Sequence, residues 1–220
     1  MKNNVVVYGA ALLIAALVPR PAAAAIKFDL GLKAGVSMSR LREAYTDPSY
    51  EVDYSERLTR PVFGAFVAVN LSRAFAIQPE IFFVTEGGTW MYESIVYPDR
   101  IFLRYVYIPV LAKFRVINKS QIVPVIFIGP SWNIFLSDHY EVFIDGEWGP
   151  SLFPIEATYK PSVGNIVMGF GVEYLLDKFL LILDFRYDIG VGHLADRYAS
   201  STPHGWARTR AIMVILGVGI

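Results

Sequence analysis

The sequence predicts an all-β fold: an eight-stranded antiparallel up-and-down transmembrane β-barrel with short periplasmic turns and long extracellular loops. Three observations predict it. Eight segments alternate apolar residues with polar or small residues, which is the pattern of strands with one apolar face. The connections between these segments alternate between long and short. An apolar export segment comes first, and the absence of cysteine excludes disulfides and thiolate metal sites.

The first 25 residues have the features of a cleavable secretory signal peptide. Lys2 gives a basic start, residues 5–18 are almost wholly apolar, and four alanines at 22–25 suit a signal peptidase. The apolar run is shorter than the roughly 20 residues of a membrane-spanning helix. We therefore expect cleavage just before Ile26, with residues 1–25 as the signal peptide and residues 26–220 as the outer-membrane β-barrel.

Composition indicates a membrane protein without a nucleic-acid partner. Basic and acidic residues number 20 each, so no net charge attracts nucleic acid. Hydrophobic residues make up 54% of the chain, yet no segment beyond the signal is a long apolar run. In a closed barrel, lipid takes the apolar surface at every second residue. The expected location is the outer membrane of a Gram-negative bacterium.

The first predicted strand, residues 26–38, shows the alternation most clearly. Lys33 and its neighbours at every second position are polar or small, whereas the residues between them are apolar. The other predicted strands are residues 61–71, 75–86, 102–116, 122–137, 164–175, 179–190 and 208–220. The intervening segments 39–60, 87–101, 138–163 and 191–207 are predicted external loops.

Four prolines fall inside these predicted strands: Pro79, Pro109, Pro124 and Pro130. Proline cannot donate to a strand ladder, and a closed barrel has no free edge to hold it. Each proline is therefore expected to mark a bulge or to lie near a membrane rim.

The strand register predicts a charged interior with five cations and five anions. An eight-stranded barrel has room only for its own side chains, so we expect ion pairs to plug the lumen. A conducting pore would require a wider barrel. The predicted structural network is Lys33, Glu80, Lys113, Glu173, Asp184 and Arg186, accompanied by Lys27, Asp29, Arg115 and Asp188.

Three arginines near the predicted outer rim, Arg104, Arg208 and Arg210, could contact lipopolysaccharide. The guanidinium group matches phosphate geometry and can form two parallel hydrogen bonds with it. Ordinary interfacial placement of long basic side chains is the alternative.

The loops hold residues that two other chemistries could use. A hydrolase could use a serine, a histidine and an acid, and a hard cation such as calcium could bind an acidic loop. No spacing requires either, so we predict no enzyme, no catalytic residue, no cofactor and no metal ligand. The residues that a hydrolase could use are Ser200, Ser201 and His204. The residues that a cation could use are Asp138, His139, Glu141 and Asp145.

Short motifs recur along the predicted strands: Gly31-Leu32-Lys33-Ala34-Gly35, Phe75-x-Ile77-Gln78-Pro79-Glu80, Tyr105-x-Tyr107-Ile108-Pro109-Val110-Leu111-x-Lys113, Gly129-Pro130-Ser131, Gly169-x-Gly171-x-Glu173-Tyr174 and Asp184-x-Arg186-Tyr187-x-x-Gly190. On these motifs the chain resembles the PorT-like outer-membrane β-barrel family of Bacteroidetes-type bacteria, over essentially all of residues 26–220. The resemblance implies the barrel fold and proline at three of the four positions. It carries over no functional residues, although one namesake is linked to protein secretion. Tyr107 and Ile220 depart from the pattern, since an acidic residue and a terminal aromatic are common there.

The sequence thus predicts a non-enzymatic barrel that is structural or binds partners through its external loops. Expected partners are outer-membrane lipid or lipopolysaccharide and an envelope or secretion protein. Three alternatives stay open: a soluble periplasmic lipid-binding barrel, an outer-membrane lipid-modifying enzyme, and a small pore or secretion-associated envelope component.

Overall fold

In a computed structural model the chain forms a closed antiparallel barrel. The structure describes residues 26–44, 56–90, 99–117, 120–144, 146–150, 157–192, 195–198 and 206–220. The predicted signal peptide lies outside them. Strands are numbered in chain order: β1 Lys27–Ala44, β2 Glu56–Asn70, β3 Phe75–Trp90, β4 Asp99–Arg115, β5 Ile122–Ile144, β6 Glu147–Pro150, β7 Ala157–Tyr159, β8 Ser162–Leu175, β9 Leu180–Gly190, β10 Ala195–Tyr198 and β11 Trp206–Gly219.

Within the described residues, eight long strands form the wall: β1 to β5, β8, β9 and β11. Each pairs with the next along the chain, and the ring closes where β11 pairs with β1. Short connections follow β2, β4 and β8, as predicted. The predicted eight-stranded all-β barrel is confirmed. No helix in the described part of the chain is long and apolar enough to cross a membrane.

The two faces of each strand have the predicted polarity. On β1, Leu32 is 66% exposed and its neighbour Lys33 only 2%. At about 3.3 Å per residue and a tilt of about 40°, the outward apolar positions from Phe28 to Met38 span about 25 Å, the height of a barrel's lipid-facing band. Arg40 lies just beyond this band. A soluble lipid-binding barrel would need the opposite faces, with a polar exterior.

The strands extend further at the external end than the sequence predicted. β5 continues through Ile144 instead of ending at residue 137, and it forms a hairpin with β6 around Gly146, whose φ is +89°. β1 and β2 likewise extend into the predicted loop 39–60. Beyond the lipid, neither face needs to be apolar, so backbone pairing continues without an alternating pattern.

The prediction of a bulge or rim position is wrong for Pro109 and Pro130, which lie in mid-strand. Strand pairing is interrupted at Pro79, Pro109 and Pro130 and resumes beyond each in the same register. The missing proline N–H therefore removes a backbone hydrogen bond between two strands, but it does not change their register. Pro79 and Pro124 lie nearer the periplasmic ends. Register shifts fall elsewhere, between residues 57 and 63 and between 104 and 105.

Candidate functional site

Four charged side chains from β1, β3 and β9 meet inside the barrel, and we call Lys33, Glu80, Asp184 and Arg186 the central charge layer. Lys33 Nζ lies 2.7 Å from both Glu80 Oε1 and Asp184 Oδ2. Arg186 Nη2 lies 2.6 Å from Asp184 Oδ2 and 3.0 Å from Glu80 Oε1, and its Nη1 also donates to Glu80. None of the four side chains has exposed surface. Each charge has two opposite partners, which offsets the large cost of burying it.

Aromatic rings surround the cations of this layer. The Arg186 guanidinium lies 5.4 Å from the ring centroids of both Phe82 and Phe127, and Lys33 Nζ lies 5.0 Å from that of Phe66. These distances are within the range of cation–π attraction. The rings therefore fill space and stabilise the two cations.

A second set of charges lies nearer the periplasmic end, and we call Asp29, Lys113, Arg115 and Glu173 the lower charge layer. Glu173 accepts hydrogen bonds from Lys113 Nζ and Arg115 Nε, each at 2.5 Å. Arg115 also approaches Asp29 at 3.8 Å. Through its side-chain amide, Gln78 accepts from Lys113 at 2.9 Å and donates to Glu80 at 2.6 Å. The two layers form one continuous network with equal numbers of both charges.

A third polar layer lies towards the external end. The carboxylate of Asp188 accepts hydrogen bonds from Tyr107 Oη at 2.8 Å, Ser131 Oγ at 3.0 Å and Asn165 Nδ2 at 2.6 Å. Glu86 accepts from Asn133 Nδ2 at 3.5 Å. Both carboxylates are buried. Among the described residues, no lysine or arginine forms an ion pair with either of them. We call Glu86, Asp188 and the side chains that contact them the upper acidic layer.

The structure thus brings together all six residues of the predicted network, within the central and lower charge layers. Asp188 is predicted as one of five interior anions balanced by five cations, but its hydrogen-bond donors are uncharged groups. Lys27, one of the predicted interior cations, is exposed at the periplasmic mouth. Sequence reasoning missed Glu86, although the alternation from Glu80 through Phe82 and Val84 leads to it. Glu86 is the last residue of the predicted strand, where alternation no longer distinguishes an interior position from a loop position.

The predicted rim arginines do not form one site. Arg104 lies on β4, whereas Arg208 and Arg210 lie on β11, and three strands separate β4 from β11 in the barrel wall. Arg104 and Arg60 line an outer-wall pocket of about 470 Å³ whose apolar side includes Phe63 and Phe83. We call this the β4 arginine pocket.

The second arginine cluster is where β1 meets β11. Arg40 is directly opposite Arg210 in the strand register, and Arg42 is opposite Arg208. We call Arg40, Arg208 and Arg210 the β11 arginine patch.

The proposed loop chemistries are only partly covered by the described residues. His139 Nε2 lies 3.5 Å from Glu141 Oε1, on the outer part of β5. Asp145, Ser200, Ser201 and His204 lie outside the described residues. Within the described ranges, no group of three or more histidines and acidic residues is placed to hold a metal ion.

Comparison with known proteins gives one family match and several similar folds. The family model described as "outer membrane protein beta-barrel domain" matches residues 19–196. OprG of Pseudomonas aeruginosa is 7% identical with a TM-score of 0.51, over 89% of this chain and 97% of that one. OmpW of Escherichia coli is 13% identical (88% and 98% coverage, TM-score 0.46), and the E. coli protease OmpT 11% (90% and 98%, TM-score 0.46). The likeness to OprG shows the fold alone. No curated protein sequence matches the chain.

Proposed function

The chain belongs to the outer membrane protein beta-barrel domain family and lies in the outer membrane of a Gram-negative bacterium, and from that premise we propose a non-enzymatic barrel with a plugged lumen. Its outer wall binds lipid phosphate, and its external end contacts an envelope partner. The finer assignment to the PorT-like branch is part of this proposal.

The observation that carries the plug is the pairing of buried charges in the central and lower charge layers. The two layers connect side chains of β1, β3, β4, β8 and β9 through ion pairs of 2.5 to 3.0 Å. An open bore would leave water beside these groups, whereas the central layer has none of its side-chain surface exposed. This burial supports a lumen that is filled by its own side chains.

Planar-bilayer recording tests the plug. We expect the purified full chain to insert without steady conductance. Lys33→Met provides a comparison, because it weakens the central layer and should permit transient current. Steady channels formed by the unaltered chain would contradict the plug and favour the small-pore alternative.

The absence of catalysis is tested on the lipid that a barrel enzyme would modify. We expect lipid A from a deletion strain and from an overexpressing strain to have the same mass spectrum as lipid A from the parent. A mass change that depends on expression of this chain would support the lipid-modifying alternative instead.

Lipid phosphate is the proposed ligand of the outer wall, at the β4 arginine pocket and the β11 arginine patch. In the pocket, the Arg60 guanidinium lies 4.5 Å from the centroid of the Phe102 ring, and Arg104 lines the same pocket. Phe63 and Phe83 continue the pocket towards the apolar band, where an acyl chain would lie. An arginine pair next to an apolar wall suits an amphiphile with a phosphate headgroup.

Native mass spectrometry with lipid A tests this contact. We expect the wild-type chain to retain lipid A better than its dephosphorylated form. Arg60→Gln with Arg104→Gln, or Arg40→Gln with Arg210→Gln, should each reduce retention several-fold. Arg73→Gln, at an exposed periplasmic turn, is the matched control. Equal retention of the two lipid forms would contradict a phosphate site.

The external partner is proposed to contact the β5–β6 hairpin. Arg100 lies 3.5 Å from the ring centroid of Trp148, and Phe143 packs on the same ring at 5.2 Å. This packing stiffens a hairpin that extends beyond the barrel wall. A photo-crosslinking residue at Glu147 should capture an envelope or secretion protein in intact cells, and the same residue at Arg73 should not. Identical products at both positions would contradict a specific contact.

A further inference from the structure

The charge balance of the interior fails in one layer. The central and lower charge layers each hold two cations and two anions. The upper acidic layer holds the carboxylates of Glu86 and Asp188, 0% and 1% exposed, and among the described residues no cation pairs with them. Two buried carboxylates without a counter-charge are unfavourable in a medium of low dielectric constant.

Six of the eight wall strands contribute side chains to this layer, and both carboxylates are buried. Asn133, whose amide donates to Glu86, lies directly opposite Tyr107 in the β4–β5 register, and the hydroxyl of Tyr107 donates to Asp188. Two neighbouring side chains therefore link the two carboxylates, and the Thr209 hydroxyl also hydrogen-bonds Glu86. The groups that donate to them are hydroxyls and amides. These uncharged donors reduce the cost of burial, but they do not neutralise the layer when both carboxylates are ionised.

A second, independent observation is a set of buried oxygens without a hydrogen-bond partner. Among the described residues, four of the six such oxygens belong to this layer: Glu86 Oε1, Tyr105 Oη, Asn133 Oδ1 and Asn165 Oδ1. The other two, Ser37 Oγ and Asp184 Oδ1, lie elsewhere in the interior. Each belongs to a side chain that is at most 4% exposed. Buried oxygens of this kind are rare in native proteins and call for an explanation.

The hydrogen bonds place these oxygens beside the two carboxylates. The amide nitrogen of Asn133 donates to Glu86, and that of Asn165 donates to Asp188. In the opposite orientation the amide oxygen would face a carboxylate oxygen, and neither atom could donate a hydrogen bond. The hydrogen bonds therefore determine that each amide nitrogen faces its carboxylate. Each amide oxygen therefore belongs to the same side-chain amide as a nitrogen that donates to a carboxylate.

We propose that the upper acidic layer binds one hard divalent cation of the Ca²⁺ class, between Glu86 and Asp188. A charge of plus two balances the layer. Carboxylate, amide and hydroxyl oxygens are the ligands Ca²⁺ takes, six to eight at a time and in irregular geometry, whereas Mg²⁺ demands a near-ideal octahedron. The partnerless oxygens of Glu86, Asn133 and Asn165 supply protein ligands. This site is distinct from the acidic loop around His139 and Glu141, and it does not depend on the lipid contacts.

Terbium luminescence tests the proposal on the full chain in detergent after chelation with EDTA. Tb³⁺ replaces Ca²⁺ and emits when a nearby tyrosine is excited, and Tyr105 and Tyr107 belong to the layer. We expect saturable emission at one ion per chain that added Ca²⁺ abolishes and equimolar Na⁺ does not. Glu86→Gln and Asp188→Asn should each weaken Tb³⁺ binding at least tenfold. Glu141→Gln, the matched control on the outer wall, should bind as the wild type does.

A thermal measurement covers the case in which a variant binds weakly because it folds poorly. Ca²⁺ should raise the unfolding temperature of the wild type. The double variant Glu86→Gln with Asp188→Asn should unfold in EDTA at or above the wild-type temperature and should not respond to Ca²⁺. The proposal is overturned if the folded wild type shows no saturable binding, if the double variant binds like the wild type, or if Glu141→Gln abolishes binding.

Discussion

The interior of the barrel changes character along its axis. In the central and lower charge layers, carboxylates accept hydrogen bonds from lysine and arginine at 2.5 to 3.0 Å. In the upper acidic layer, the described residues that donate to carboxylates on the same two strands, β3 and β9, carry hydroxyl and amide groups. Burial is equally complete in the central and upper layers. Burial alone therefore does not assign a role to an interior acid. A paired acid stabilises the fold, whereas an unpaired one needs another group to balance its charge.

β3 provides the sharpest test of this comparison, because Glu80 and Glu86 lie on one face of one strand. Glu80→Gln leaves Lys33 and Arg186 with Asp184 as their one remaining anion, so we expect a loss of about 3–5 kcal/mol in the free energy of unfolding. Glu86→Gln, measured in EDTA, should cost nothing or stabilise slightly. Urea unfolding in lipid vesicles measures both. Equal losses at the two positions would break the comparison.

β9 repeats the test with aspartates four residues apart. Asp184→Asn removes one of the two anionic partners of Lys33 and Arg186, and we expect it to lower the free energy of unfolding by about 2–4 kcal/mol. Asp188→Asn keeps its side-chain volume and should change the free energy in EDTA by less than about 1 kcal/mol. The same vesicle assay compares them. A larger loss from Asp188→Asn would show that its uncharged partners stabilise the ionised form strongly.

The lower charge layer should be less sensitive than the central one. Glu173→Gln leaves Lys113 and Arg115 without their shared carboxylate, but the Arg115 side chain is 12% exposed and Asp29 stays nearby. We expect a loss of about 1–3 kcal/mol. Heat-modified mobility in detergent gels should show unfolding at a lower temperature than for the wild type. A loss as large as that of Glu80→Gln would mean that exposure at the mouth does not matter.

The smallest expected effect is at Lys27. Its side chain is exposed at the periplasmic mouth, so Lys27→Gln should change the free energy of unfolding by less than about 0.5 kcal/mol. Urea unfolding in vesicles measures it. A loss above about 1 kcal/mol would show that the lower charge layer extends further into the periplasmic mouth than its contacts indicate.

Much of the candidate site could be predicted from alternation, and the part that could not follows from strand stagger. The period of two places Lys33, Glu80 and Asp184 on the interior face. It does not say that they meet, since 47 and 151 residues separate Lys33 from its two partners. The rim arginines show that alternation also fails to predict separation. Arg104 and Arg210 both lie at the rim, but they lie on different sides of the barrel.

By itself the sequence determined that this chain is a barrel, which residues face lipid, and which side has the short turns. These properties are local, since each depends on the alternation within one strand or on the length of one connection. Only the tertiary structure decided which interior charges pair, because closure and stagger bring remote strands to one depth. The same closure brought Glu86 and Asp188 together with no lysine or arginine paired to them among the described residues. No local pattern could have predicted that.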